Sequence, residues 1–401
     1  MKSPLEGITV LDLSHALAGP HCSTLLADFG ARVIKLEPRS GDIARAWGAP
    51  LPGNETSYFV GLHRNKAGIS IDLKHPDGKA LFRRLLTKAD VLLENFRPGA
   101  LRKLGFGYDE LKQDFPGLVY CSISGFGQNG PYQDRAALDL ILQAESGMIS
   151  VTGAPDSHGA RCGVSVADLT AGMYAALGIV MALRARDHTG RGQFVDISML
   201  EGQMSLLGVN ISSFLTDGEI PRPMGTAYKA LLPYQTYPTA TRDMAIAVGS
   251  EKLWKIFCPL IGHPELTDDP RFRTNLERSR NRAALDAILE PTFLTRSYEE
   301  WEALFLQAGV PIGSVNNMAE LIEHPQVVAR GAIVDMEHPR AGPVRMVNVP
   351  FRLSETPGSV RTPAPALGEH TAQTLRDLLE MPDEEIARLA ASGAIYTGEQ
   401  A

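Results

Sequence analysis

Residues 7–13, GITVLDL, make a β-branched apolar run; Gly19-Pro20 punctuates the chain, 21–29 carry a helical pattern, and 33–37, VIKLE, return to strand character. A strand, a helix and a second strand in so short a stretch dictate a parallel pair. The helix carries the chain back to the edge it left, and the crossover is right-handed by default. The alternation continues with a predicted helix over 76–88, a strand over 90–94, a short helix over 98–103 and a strand over 118–124. Repeated β–α alternation predicts a doubly wound α/β sheet, with ligands held at the carboxyl ends of its strands.

Further along, the pattern gives a helix over 137–146, an apolar helix over 169–183, a strand over 193–197 and a helix over 199–214. Pro221, Pro223, Pro233 and Pro238 then crowd a segment without periodicity, which reads as a linker. A separate pattern occupies 243–309, with a strand over 244–248 and helices over 251–261, 278–289 and 297–307. Strands near Ile333 and Val344 and a last helix over 371–379 follow. A chain of 401 residues exceeds what one core organises. We therefore expect a large α/β domain over 1–214 completed by 331–401, a linker or lid over 215–240, a small α/β domain over 241–310 and a return linker over 311–330.

Thirty-nine Lys+Arg against 46 Asp+Glu leave a net charge of −7. That balance argues against a general nucleic-acid or anionic-membrane binder and permits a local basic pocket. Cys22, Cys121, Cys162 and Cys258 are far apart and form no CxxC pair, which suggests neither zinc nor disulfides and fits a reducing, cytoplasmic setting. The N-terminal residues show no apolar signal region, and the longest apolar run, 169–183, is too short for a membrane span. It reads as a core helix.

GFGQNG at 125–130 matches GxGxxG after a strand, but Pro131 and Tyr132 follow and no helix starts on the glycines, so no nicotinamide or flavin site is expected. There is no GxSxG elbow, no HExxH and no acidic metal cluster; no metal is expected. Arg39, Arg45, Arg64, Lys66, Lys74, Arg97, Arg102 and Lys103 concentrate in the first α/β region, several just after strands, where they suit a phosphate-rich small molecule.

Asp168 opens the apolar helix as its one acid. Ser165-Val-Ala-Asp168 has the spacing of a capping box, which gives the aspartate a structural role. The same position presents a carboxylate outward at a helix start, as a nucleophile requires.

Eight segments together resemble the class III CoA-transferases, also called the formyl-CoA transferase family. They are residues 5–20 (LEGITVLDLSHALAGP), 26–37 (LADFGARVIKLE), 65–74 (NKAGISIDLK), 90–99 (DVLLENFRPG), 124–131 (SGFGQNGP), 168–172 (DLTAG), 189–198 (TGRGQFVDIS) and 367–371 (LGEHT). The likeness runs in order through nearly the whole chain. It implies a large Rossmann-like doubly wound domain with a smaller α/β domain, in an interlocked homodimer. The implied activity moves coenzyme A from an acyl-CoA to a small carboxylic acid, with Asp168 as covalent nucleophile through an aspartyl anhydride and an aspartyl thioester. The resemblance further implies CoA contacts at Ala16, Leu17, Arg39, Ile71, Lys74, Asn95, Phe96, Arg97, Lys103 and Arg135.

Two departures bear on function. Related acyl-CoA racemases carry a His-Asp pair where this chain has Leu138-Asp139, and leucine cannot move a proton, which disfavours the racemase alternative. A non-catalytic CoA-binding protein is the other alternative. The glycine-rich lid of formyl-CoA transferase is replaced by AYKALLPY at 227–234, so formate and oxalate are not the favoured acids. Arg222, Tyr228 and Lys229 in that region are candidates to meet a second carboxylate.

Overall fold

In the computed structural model, which describes residues 2–398, the alternating segments build one seven-stranded sheet. Its strands are β1 (Thr9–Asp12), β2 (Arg32–Glu37), β3 (Lys66–Ile71), β4 (Val91–Glu94), β5 (Val119–Ser124), β6 (Phe194–Ser198) and β7 (Ile395–Tyr396), in the spatial order β7-β3-β2-β1-β4-β5-β6. β1 to β6 are parallel, and β7 runs antiparallel along β3. The order 3-2-1-4-5-6 reverses between β1 and β4, the switch point at whose carboxyl ends doubly wound sheets hold ligands in a crevice.

Alternation along the strands sorts the core into two layers. Val10, Val33, Val91 and Val119 face one side, and Leu11, Ile34, Leu92 and Tyr120 the other. The longer helices of this part of the chain are α1 (Ala18–Asp28), α2 (Pro76–Leu86), α3 (Asp139–Glu145), α4 (Val166–Thr189), α5 (Met199–Leu206), α6 (Gly208–Asp217), α7 (Thr371–Leu379) and α8 (Asp383–Ala391). α1 and α4 cover the first face through Cys22, Leu26, Ala171, Ala175 and Ile179. α2, α7 and α8 cover the second through Phe82, Leu85, Leu375 and Ile386.

Several expectations change. β3 was predicted only as a ligand-binding stretch; its strand pattern is masked because Lys66 is buried and Gly68 lies tight against Pro365, where a Cβ would stand 2.8 Å from the proline ring. The helix expected over 199–214 is two, α5 and α6, broken at Leu207 before Gly208. α8 follows the helix expected to be last, with Pro382 at its N-cap. The central helix extends to 24 residues, long and apolar enough to cross a bilayer by length and composition. Its buried side instead packs on α1, β5 and β6.

The chain divides into two compact units, one of 1–148, 162–218 and 326–401 and one of 149–161 and 219–325. Residues 149–161, left within the large domain by the sequence reading, cluster with the second unit. That unit holds a three-stranded antiparallel sheet of Tyr234–Pro238, Asp243–Ala247 and Ile312–Ser314 over an aromatic core of Trp254, Phe257, Phe293, Trp301 and Phe305. The proline-rich linker thus contains a strand, possible because Pro238 ends it opposite Asp243.

Candidate active site

At the switch point between β1 and β4 one amide side chain ties the two strand-end turns together. Asn95, just after β4, accepts the His15 N–H through Oδ1 at 2.8 Å and donates through Nδ2 to the His15 carbonyl at 2.8 Å. The two turns on which CoA contacts are expected are therefore one rigid piece. The Phe96 ring meets the His15 imidazole edge-on at 5.2 Å. Ala16 is held at φ 64°, a left-handed conformation disfavoured for a residue with a Cβ, so its surroundings must over-determine it. Asp42 does so by accepting the Ala16 N–H at 3.1 Å.

Beneath the turn lies a fully buried set of charges. Lys35 pairs with Asp42 at 2.8 Å and also donates to the Ser14 carbonyl; Lys66 lies 3.6 Å from Asp12 and donates to the Pro20 carbonyl at 2.9 Å. Asp12 accepts the Ser14 amide at 2.9 Å and the Ser23 hydroxyl at 2.5 Å. Burial alone would raise the Asp12 carboxyl, but Lys35, Lys66 and the two serines outweigh it and hold it below the usual range. Burial likewise works against Asp42, and hydrogen bonding to His15 together with Lys35 holds it far down. Lys66 is pushed down to about 8 by burial, with Asp12 opposing. Removing one partner of such a pair leaves an uncompensated buried charge, which costs about 3–5 kcal/mol.

The same geometry sorts the basic residues. Arg45 grips Glu37 at 2.7 Å and Arg64 grips Asp28 at 2.7 Å, so these two, with Lys66, stabilise the fold. Arg39, Lys74, Arg97, Arg102 and Lys103 are exposed, at or just beyond the carboxyl ends of β2, β3 and β4, with no ion pair among the described residues. Arg39 lies over the Tyr396 ring at 5.6 Å. Leu17 is the buried N-cap of α1, and Ile71 is 1% exposed within the core. Arg135 pairs with Glu145 at 2.7 Å and covers the Tyr132 ring at 4.4 Å.

Asp168 is the third residue of α4. The expected capping box is not formed: Ser165 occupies the N-cap without a side-chain capping bond. The cap comes from α3, where Asp139 accepts the Ala167 N–H at 2.9 Å and the Gln143 amide at 2.8 Å, while Gln143 accepts the Cys162 N–H at 2.9 Å. One turn beyond Asp168, Gly172 lies so close to α1 that a Cβ would stand 2.5 Å from the Ala18 carbonyl oxygen. Residues four apart share a helix face, so Asp168 stands on the face of α4 turned toward the start of α1 and the Ala16–Leu17 turn.

The capping pair Asp139 and Gln143 lies outside the predicted set, although a Gln four residues after an Asp on a helix signals a side-chain pair. Tyr58 also lies outside the predicted set. Burial, then the Asp168 charge, push its hydroxyl up to about 12, and its ring meets Trp47 edge-on at 5.5 Å. Leu138, 72% exposed, offers nothing that titrates. In the second unit, the 227–234 segment is braced by Asn275, which donates to the Ala230 carbonyl at 2.5 Å, and by Arg282, which donates to the Tyr228 carbonyl at 2.7 Å. Lys229 pairs with Glu219 at 2.6 Å, and Arg222 is exposed.

The sequence model of CoA-transferase family III matches residues 5–371. This chain belongs to CoA-transferase family III. It is an acyl-CoA:carboxylate CoA-transferase. Among similar proteins, succinyl-CoA:glutarate CoA-transferase of Homo sapiens is 36% identical, over 98% of this chain and 90% of its own length. Succinyl-CoA–D-citramalate CoA-transferase of Chloroflexus aurantiacus is 39% identical, over 98% of both chains. The crystal structure of a CAIB/BAIF family protein from Brucella suis superposes with a TM-score of 0.84 at 36% identity, covering 94% of this chain and all of that one.

Proposed function

We propose that Asp168 is the covalent relay of this transferase. The observation that carries the reading is the close approach at Gly172, which sets the aspartate beside the turn that joins β1 to α1. A carboxylate oxygen of Asp168 attacks the thioester carbonyl of the donor; the C–S bond breaks, CoA leaves as thiolate, and a mixed anhydride forms. The thiolate then attacks the aspartyl carbonyl, releasing the donor acid and leaving an aspartyl-CoA thioester. The acceptor carboxylate reverses both steps, and Asp168 is regenerated. Exchanging one thioester for another is nearly isoenergetic, so the chain needs to supply only a nucleophile, orientation and exclusion of water.

In this reading the exposed Arg39, Lys74, Arg97 and Lys103 meet the CoA phosphates, and backbone amides of the Ala16–Leu17 turn lie nearest the thioester. Arg135, fixed by Glu145, acts by holding the 125–135 loop. Two relatives carry succinyl-CoA in their names, one with glutarate and one with D-citramalate, which makes succinyl-CoA and glutarate the first pair to assay. The opposite face of α4 exposes Met173, Leu177, Val180 and Met181, an apolar stripe that supports a homodimer. Four unpaired cysteines support a reducing, cytoplasmic setting.

The test is mass-spectrometric detection of CoA exchange between succinyl-CoA and a panel of acids, by the native chain and by Asp168→Ala. Loss of exchange in the variant supports the relay, and full exchange by the variant overturns it.

A further inference from the structure

Glu94, the last residue of β4, is buried and faces no cation close enough to pair with it among the described residues. Its Oε2 accepts the Phe96 N–H at 2.7 Å and its Oε1 accepts the Ser122 hydroxyl. Ser122 Oγ in turn accepts from Gln128 Nε2 at 2.8 Å, and the Gln128 N–H donates to Asp196 at 3.1 Å. One carboxylate therefore links the 95–97 turn, on one side of β4, to the glycine-rich 125–130 turn after β5.

We propose that Glu94 is a positioning residue for the acyl-CoA, its ionised carboxylate fixing the 95–97 and 125–130 turns in a single arrangement; this rests on the crevice being the CoA site.

Burial pushes the Glu94 carboxyl up to about 7, only partly offset by Ser122 and Phe96. The surrounding titratable and charged groups do not cancel this. Tyr120 and Cys121 on β5 are pushed up in their turn, Asp196 on β6 is raised by burial, Asp12 on β1 is paired with Lys66, and Arg97 and Arg102 point to solvent. An acid whose folded-state pKa is raised binds its proton more tightly when folded, so stability is present at low pH and falls as pH rises through about 7. The ionised form is thus kept at the expense of stability. Protonation at Oε1 would end its acceptance of the Ser122 hydroxyl and reorder the link to Gln128.

The experiment measures KM for acyl-CoA, kcat and CoA binding against pH for the full chain, Glu94→Gln and Ser122→Ala. In the native protein KM rises as pH falls through about 7, with kcat nearly constant. Glu94→Gln has a KM raised about tenfold and flat with pH, the loss of one hydrogen bond to a charged group, while its Tm at alkaline pH does not fall. The His15 imidazole packs edge-on against the Phe96 ring of the same turn and is the other candidate for such a step. Ser122→Ala separates the two, because removing a donor to the carboxylate moves the step to higher pH only if Glu94 carries it; this variant also decides the matter should Glu94→Gln fail to fold. A native KM and step in Glu94→Gln, or an unmoved step in Ser122→Ala, overturns the proposal. Absence of CoA binding by the native chain at every pH instead sinks the reading of the crevice, and the proposal with it.

Discussion

Asp139 accepts the Ala167 amide at 2.9 Å, so the helix that presents Asp168 takes its cap from a neighbouring helix and not from its own Ser165. The same carboxylate accepts from Gln143 at 2.8 Å. Asparagine at 139 keeps one acceptor and turns an N–H toward a donor. We expect Asp139→Asn to lower stability by about 1–3 kcal/mol, read by urea unfolding, and to lower kcat about tenfold or more while KM for acyl-CoA holds. Unchanged kcat would mean that the cap does not position the nucleophile.

Gly172 meets backbone before side chain: its absent Cβ would stand 2.5 Å from the Ala18 carbonyl oxygen and 3.1 Å from the His21 ring. Gly172→Ala must push α4 off α1, an overpacking cost of about 1–3 kcal/mol that outweighs alanine's better helix propensity. A calorimetric Tm drop with reduced kcat is expected. A Tm at or above that of the native chain would show that the helices separate easily and that their contact does not fix Asp168.

The exposed and paired cations part company on mutation. Arg97→Gln and Lys103→Gln should each raise KM for acyl-CoA severalfold with little effect on Tm, an effect that shrinks as salt is added because exposed charges are screened. Arg45→Gln breaks the contact to buried Glu37 and should lower Tm instead. Equal KM in native and Arg97→Gln chains across salt concentrations would remove the phosphate contact.

Much of this was legible in the sequence because it rests on local pattern. The β-branched runs of β1, β2, β4 and β5 read directly as buried parallel strands, and their alternation with helices pointed to a doubly wound sheet, whose strand order only the structure gives. β3 was hidden because a buried lysine breaks its apolar pattern, and only Asp12, more than fifty residues earlier, explains why Lys66 is tolerated there. The basic cluster was visible as a cluster, but its division into structural and exposed members depends on Glu37 and Asp28 arriving through the fold. Asp168 was singled out by its place in an apolar run, whereas its cap was assigned to the nearest serine, since nothing local announces a cap donated by another helix. Glu94 reads as an ordinary strand-end acid until Ser122 and Gln128 are brought onto it.

The central claim is that Asp168 becomes acylated during turnover. The direct measurement is peptide mapping by mass spectrometry after mixing the native chain with succinyl-CoA and quenching with hydroxylamine or borohydride. The account predicts a hydroxamate or a reduced side chain at Asp168, dependent on the thioester and absent when acyl-CoA is omitted. Turnover with Asp168 unmodified, with the adduct on another residue, or with exchange of the substrate α-proton in its place would contradict it.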